Sequence, residues 1–230
     1  MDFLEHIIPG GRYLFNIFSK EGIIQFLFVL PALLISLSVH ELAHAYSAYK
    51  LGDKSQKYLG RLTLDPFAHI DWMGFLCIAL LGFGWGKPVV VDDRNFKNRA
   101  RDNMLVALAG PASNLLMAVV FTIILKLLLV TGLVSVGANS QVSSVIITMF
   151  TLAIQFNAVF AIFNMLPIPP FDGSKVLFYF LPYKWKDIMF TLQRYSFVII
   201  IVFLVTGLGS IIVSPIVNVI LNILNVILML

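Results

Sequence analysis

Apolar side chains arrive in long unbroken runs, and the polar ones are gathered between them. No charge occurs from Ile23 to Val39, and the apolar character continues to Tyr49 after His40, Glu41 and His44 interrupt it. Asn103 to Leu125 is uncharged, and beyond Lys126 no charged residue appears until Asp172. That interval holds the end of one helix, a Gly/Ser turn around residues 132–144 and a further helix from about Val145 to Leu166. Two more helices fit at about Asp187–Thr206 and Ile211–Leu230, divided by Gly207-Leu-Gly-Ser. Crossing a hydrocarbon layer of ~30 Å takes ~20 apolar residues in a helix. The pattern therefore predicts an all-α polytopic membrane protein with five to six transmembrane helices. Trp72–Trp85 is short for a span, and Pro88-Val-Val-Val-Asp-Asp reads as strand. A short re-entrant or β-containing element is thus expected between the first two long helices.

Composition agrees with a lipid solvent: 59% of residues are hydrophobic and 12% charged, against roughly a quarter charged in a soluble domain. With 230 residues divided into spans, one membrane domain over 1–230 is expected. Within it, 1–21 reads as an interfacial segment and 52–102 as a connecting region. Asp2 and Glu5 precede the first apolar run and no small-residue cleavage site follows, so no removable signal peptide is expected. The net charge of +4 resides in the loops, which is a pattern of membrane topology rather than of a nucleic-acid surface. If Trp72–Trp85 re-enters instead of spanning, the basic groups Lys54–Arg61, Lys87–Arg101 and Lys175–Lys186 share one face, the cytoplasmic one. Arg194 can reach an interface or pair internally. Cys77 is the only cysteine, which excludes an internal disulfide and a thiolate metal cluster.

His40-Glu41-Leu42-Ala43-His44 matches H-E-x-x-H. Residues four apart share a helix face, so both imidazoles can hold one zinc ion while Glu41 takes a proton from its water. Ionisable groups inside an apolar helix are costly unless they have partners, which favours function over chance. A hydrolytic zinc takes a third protein ligand. The candidates are His6, His69 and the acids, of which Asp172 in Asn164-Met-Leu-Pro-Ile-Pro-Pro-Phe-Asp-Gly173 is the most informative. Prolines there prevent a regular helix, and Gly173 permits a tight turn. The plain alternative is that Asp172 merely caps the next helix.

Three motifs on separate apolar segments carry a resemblance: His40–His44, Ala109-Gly-Pro-Ala-Ser-Asn114, and Asn164 with Pro167 and Asp172-Gly173. Together they resemble the site-2 protease family of intramembrane zinc metalloproteases. Arg61-Leu-Thr-Leu-Asp-Pro-Phe-Ala-His69-Ile-Asp and Phe83-Gly-Trp-Gly-Lys-Pro88 resemble the connecting region of a compact prokaryotic branch without a PDZ or CBS module. The resemblance implies that His40, His44 and Asp172 bind zinc and that Glu41 activates water. It implies too that Asn114 and Asn164 meet substrate or its oxyanion, with helix–helix hydrogen bonding as their simpler use. His69 either lines the cleft or is an ordinary loop histidine, and His6 is taken as ordinary. The expected substrates are transmembrane proteins in a prokaryotic plasma membrane, with the site toward the cytoplasm and the oligomeric state open. A metal transporter or sensor using the same histidines is the rival reading, and Glu41, unnecessary for transport, weighs against it.

Overall fold

Long apolar segments satisfy their backbone polar groups in lipid by coiling into helices. The computed structural model describes residues 20–81, 84–135 and 140–229, and its regular elements are all helices, with no strand among those residues. The elements are α1 (Lys20–Leu51), α2 (Ser55–Tyr58), α3 (Trp72–Leu81), α4 (Arg99–Val130), α5 (Gln141–Asn164), α6 (Asp172–Phe180), α7 (Lys186–Arg194), α8 (Ser196–Val205) and α9 (Leu208–Met229). Among the described residues four of these, α1, α4, α5 and α9, are long and apolar enough to cross a membrane. The interfacial segment expected over 1–21 falls almost wholly outside the described residues, as does His6.

Two expectations change. The helix predicted over Asp187–Thr206 is two helices, α7 of 9 residues and α8 of 10, separated at Tyr195. Lys186, Asp187, Gln193 and Arg194 make α7 too polar to continue an apolar span, and α8 at 1.5 Å per residue reaches only about 15 Å. Residues 88–93, expected as strand, form none: 88–92 belong to no regular element and Asp93 opens a short 3-10 turn. Side chains take up their backbone groups instead: Gln56 donates to the Val90 carbonyl (2.8 Å), Arg61 to those of Lys87 (2.6 Å) and Pro88 (2.5 Å), and Asp53 accepts from the Asp92 N–H (3.0 Å). A run of valines signals extended backbone, yet not whether a partner strand exists.

The short run around α3 doubles back. Ile70 and Gly86 form an antiparallel bridge, and Lys87 N–H bonds to the His69 carbonyl (2.8 Å). Gly74 lies against the returning chain so closely that a Cβ there would come within 2.9 Å of the Trp85 backbone. Entry and exit of this hairpin therefore lie side by side. It leans on α1 at Leu37, which a Cβ on Gly86 would approach to 2.8 Å, one turn before His40 and Glu41.

Helix α4 is central and packs on α1, α5, α6 and α9, while α1 and α5 also touch each other. Fully buried alanines line these crossings, among them Ala45, Ala48, Ala107, Ala158 and Ala161. Small side chains let helix backbones approach closely in lipid, where apolar bulk alone gives little drive to associate. The entry to α4 is fixed by a reciprocal cap: the Asn98 side chain accepts the Arg101 N–H (3.2 Å), and Asp102 accepts the Asn98 N–H (3.0 Å).

Candidate metal centre

His40 and His44 sit one turn apart on α1, some 10–16 Å along the helix from its basic C-terminal end at Lys50 and Leu51. Their rings meet edge to face at 4.6 Å. Asp172 is the first residue of α6, delivered by the proline-rich turn after α5. Phe171, not Asp172, occupies the N-cap of this helix, so Asp172 is not the capping residue of the plain alternative. The carboxylate reaches α1 instead: Asp172 Oδ2 lies 3.0 Å from His44 Nε2 and 3.3 Å from His40 Nε2, and the two Nε2 atoms are 3.0 Å apart. All three residues are buried. Gly173 serves differently from the turn expected of it. Its φ is not positive, but a Cβ would come within 2.6 Å of the Leu166 carbonyl and nearer still to that of Met165. A residue without a side chain is what lets Asp172 approach.

The protonation of this triangle decides what it can hold. His44 Nδ1 lies 2.7 Å from the Val106 carbonyl, which only accepts, so Nδ1 carries the proton and Nε2 a lone pair. His40 Nδ1 donates to Asn114 Oδ1 at 2.6 Å, which leaves its Nε2 a lone pair as well. Two imidazole lone pairs and a carboxylate oxygen thus converge within 3.3 Å, with electron density facing electron density. One shared proton relieves one edge of such a triangle; a cation relieves all three. Zinc–nitrogen bonds of ~2.0–2.1 Å in a tetrahedron place ligand atoms roughly 3.3 Å apart, and two nitrogens with one oxygen form a ligand set of hydrolytic zinc. The residues fit that ion.

Close packing holds the imidazoles in place. A Cβ on Gly110 would fall 2.6 Å from His40 Cε1 and closer to the His44 ring. Phe160 of α5 covers the His40 ring at 4.8 Å, and Lys175 approaches the other carboxylate oxygen of Asp172 at 3.6 Å. Pro111 has no N–H for the Ala107 carbonyl one turn back, which relaxes α4 beside the Val106 carbonyl that His44 uses. Glu41 is 9% exposed, and its Oε2 accepts the Val89 N–H at 3.2 Å, so the extended segment is tied directly to this carboxylate.

Sequence comparison extends the likeness beyond these residues. The family model described as Peptidase family M50 matches residues 121–207. YwhC of Bacillus subtilis, provisionally named a zinc metalloprotease, is 38% identical over 83% of this chain and 86% of its own length. The chain belongs to peptidase family M50. Rip2 of Mycolicibacterium smegmatis (32% identical, 79% of this chain and 68% of Rip2) and MJ0611 of Methanocaldococcus jannaschii (31%, 76% and 78%) carry the same provisional name. No solved structure matches. As an M50 member of the site-2 protease type, with four helices among the described residues long and apolar enough to cross a membrane, the chain is a membrane-embedded zinc metalloendopeptidase.

The remaining polar residues of this M50 chain divide clearly. Asn114 is fully buried, and its side chain is committed: Oδ1 to His40, Nδ2 to Asn157 Oδ1 (3.0 Å) and to the Ser36 carbonyl (3.3 Å). With both amide hydrogens engaged it steadies a histidine and makes the helix–helix hydrogen bonds given as its simpler use. Asn164 turns its Nδ2 to the Phe160 carbonyl of its own helix (3.0 Å). His69 is fully buried in the connecting region, donating through Nε2 to the Thr63 carbonyl (2.9 Å), outside the group formed by His40, His44 and Asp172. Arg61 holds that region together through the Ala68, Lys87 and Pro88 carbonyls. Ser36 and Asn157 were missed at the sequence level, and Gly110 entered only within the Ala109–Asn114 motif, without its close approach to the imidazoles. Ser36 stands four residues before His40 on the same face, and Asn157 is an isolated amide in an apolar helix; both were readable signals.

Proposed function

We propose that this M50 enzyme hydrolyses peptide bonds in or near the transmembrane segments of membrane proteins, as in regulated intramembrane proteolysis. His40, His44 and Asp172 hold the zinc, and Glu41 is the general base. The observation that carries this reading is the buried triangle of three lone-pair donors, none more than 3.3 Å from the next, inside helices apolar enough to span a bilayer. Zinc bound there supplies Lewis-acid polarisation of a peptide carbonyl and activation of water near neutral pH. Glu41 accepts the proton of that water and returns it to the leaving amine. Asn114 and the Val106 carbonyl keep the two imidazoles oriented while this happens.

A substrate helix shields its amides by internal hydrogen bonding, so it must unwind locally before attack. Asn164, half-buried at the end of α5 before the Asp172 turn, is the amide we assign to substrate contact. The site lies nearest the helix ends that carry Lys50, Arg99 and Arg101, which supports water access from a basic, cytoplasmic face of a prokaryotic plasma membrane. The paired ends of the α3 hairpin support its entering and leaving on that same face. The test uses the purified full chain in proteoliposomes with a transmembrane peptide. Cleavage should disappear with a zinc chelator and fall by ~10²–10⁴-fold in Glu41→Gln, which still binds zinc. Undiminished cleavage by Glu41→Gln would remove that residue from the mechanism, and hydrolysis of soluble peptides alone would refute the intramembrane reading.

A further inference from the structure

We infer that Asn157 is a positioning residue: acting through Asn114, it dictates which ring nitrogen of His40 carries the proton and thereby keeps Nε2 open to the metal. This rests on His40 being a ligand. Asn157 is fully buried within α5, where an amide is costly unless every hydrogen-bonding group is used. Its Nδ2 donates to the Ala153 carbonyl (2.8 Å) and to Ser36 Oγ (2.7 Å). A carbonyl can only accept. Ser36 Oγ has already given its own proton to the Ala32 carbonyl (2.6 Å), so toward Asn157 it too can only accept. The Asn157 amide is thus oriented twice over, and its Oδ1 must face Asn114.

The consequence passes from helix to helix. Facing Oδ1 of Asn157 at 3.0 Å, and the Ser36 carbonyl at 3.3 Å, Asn114 must present its NH2 to both. Its own oxygen then points at His40 Nδ1, 2.6 Å away, and that nitrogen must carry the hydrogen. Were Asn114 reversed, its NH2 would meet Nδ1, and the ring proton would move to Nε2. It would then stand inside the triangle, on a nitrogen 3.0 Å from His44 Nε2, at the position a metal ligand needs free. His44 requires no such control, because the backbone carbonyl of Val106 cannot flip. An amide can, and Asn157 with Ser36 is what stops it.

Loss of an outer partner of a ligating histidine typically costs ~10–100-fold in metal affinity. The experiment titrates zinc into the purified, metal-stripped full chain against a chromophoric chelator, and reads the His40 tautomer by nitrogen NMR of histidine-labelled protein. Wild type should show hydrogen on Nδ1; hydrogen on Nε2 would overturn the inference without any variant. Asn157→Leu should weaken zinc binding by ~10–100-fold and bring up the Nε2–H form. Unchanged affinity and tautomer would refute it. Asn114→Asp supplies a decisive background, because a carboxylate accepts from Nδ1 whichever way it is turned. There Asn157→Leu should have little further effect on affinity; an equal loss in both backgrounds would mean that Asn157 only fills space. Failure of wild type to bind zinc would overturn the metal reading and this one together, whereas a full-affinity Asn157→Leu overturns this inference alone.

Discussion

The crossing of α1, α4 and α5 and the contact of α9 with its neighbours are both buried helix packing, yet they are built from different materials. The first joins small residues to a polar chain: Ala45, Ala107 and Gly110 beside Ser36, His40, Asn114 and Asn157. The second is aliphatic and aromatic, with Val213, Val217, Leu221 and Leu224 of α9 against Ile154, Leu166 and Phe203. Lipid tails are as apolar as leucine, so the aliphatic contact draws little on solvent exclusion and many registers of it would be nearly equivalent. Hydrogen bonds between buried amides tolerate no such sliding. The register that matters, the one bringing Asp172 to two imidazoles, is accordingly set where the polar chain runs.

That contrast can be broken most sharply at Gly110. Alanine there places a Cβ against both imidazoles, within 2.6 Å of His40 Cε1. A misplacement near 1 Å at a reacting centre costs on the order of 10²-fold in rate. Gly110→Ala is therefore expected to lose about two orders of magnitude in peptide cleavage, with weakened zinc binding, while its helical content and insertion are retained. Normal kinetics would show the packing there to be loose.

At the other pole, Leu224→Ala should be mild. Leu→Ala in soluble cores costs ~2–5 kcal/mol, much of it transfer from water, which lipid does not supply. Reversible unfolding in bilayers is expected to show less than ~2 kcal/mol, with zinc affinity unchanged. A coupled loss of affinity would mean that α9 sets the register after all.

The smallest effect belongs to the connecting region. Burial pushes the Asp53 carboxyl up, but hydrogen bonds from Ser55, the Asp92 N–H and Gln56 outweigh it and hold the group below its ordinary value. A depressed carboxylate contributes stability above its unfolded range near pH 4, and loses it as pH falls through the lower folded value. Protease sensitivity of residues 52–98 should rise in that acid window before the long helices respond, and Asp53→Asn should abolish the pH step. Simultaneous loss of helicity would contradict this separation.

Much of this was legible in the chain. H-E-x-x-H on an apolar helix fixes its chemistry because spacing and environment are both local facts, and Asp172 was singled out because prolines deny it an ordinary helix. What escaped was nonlocal. The valines of 89–91 promise extension, but only the fold reveals that Gln56, Arg61 and Asp53 replace a partner strand. Asn114 was expected to face substrate, and its orientation toward His40 depends on Asn157, 43 positions away. Gly110 and Gly173 matter through close approach, which a sequence does not announce.

X-ray absorption at the zinc edge tests the centre most directly, using full chain loaded with one equivalent of metal. The account predicts a shell of nitrogen and oxygen near 2.0–2.1 Å with the outer scattering of two imidazoles, and a changed shell in Asp172→Ala. A sulfur ligand, fewer than two imidazoles, or an identical spectrum in Asp172→Ala would contradict it.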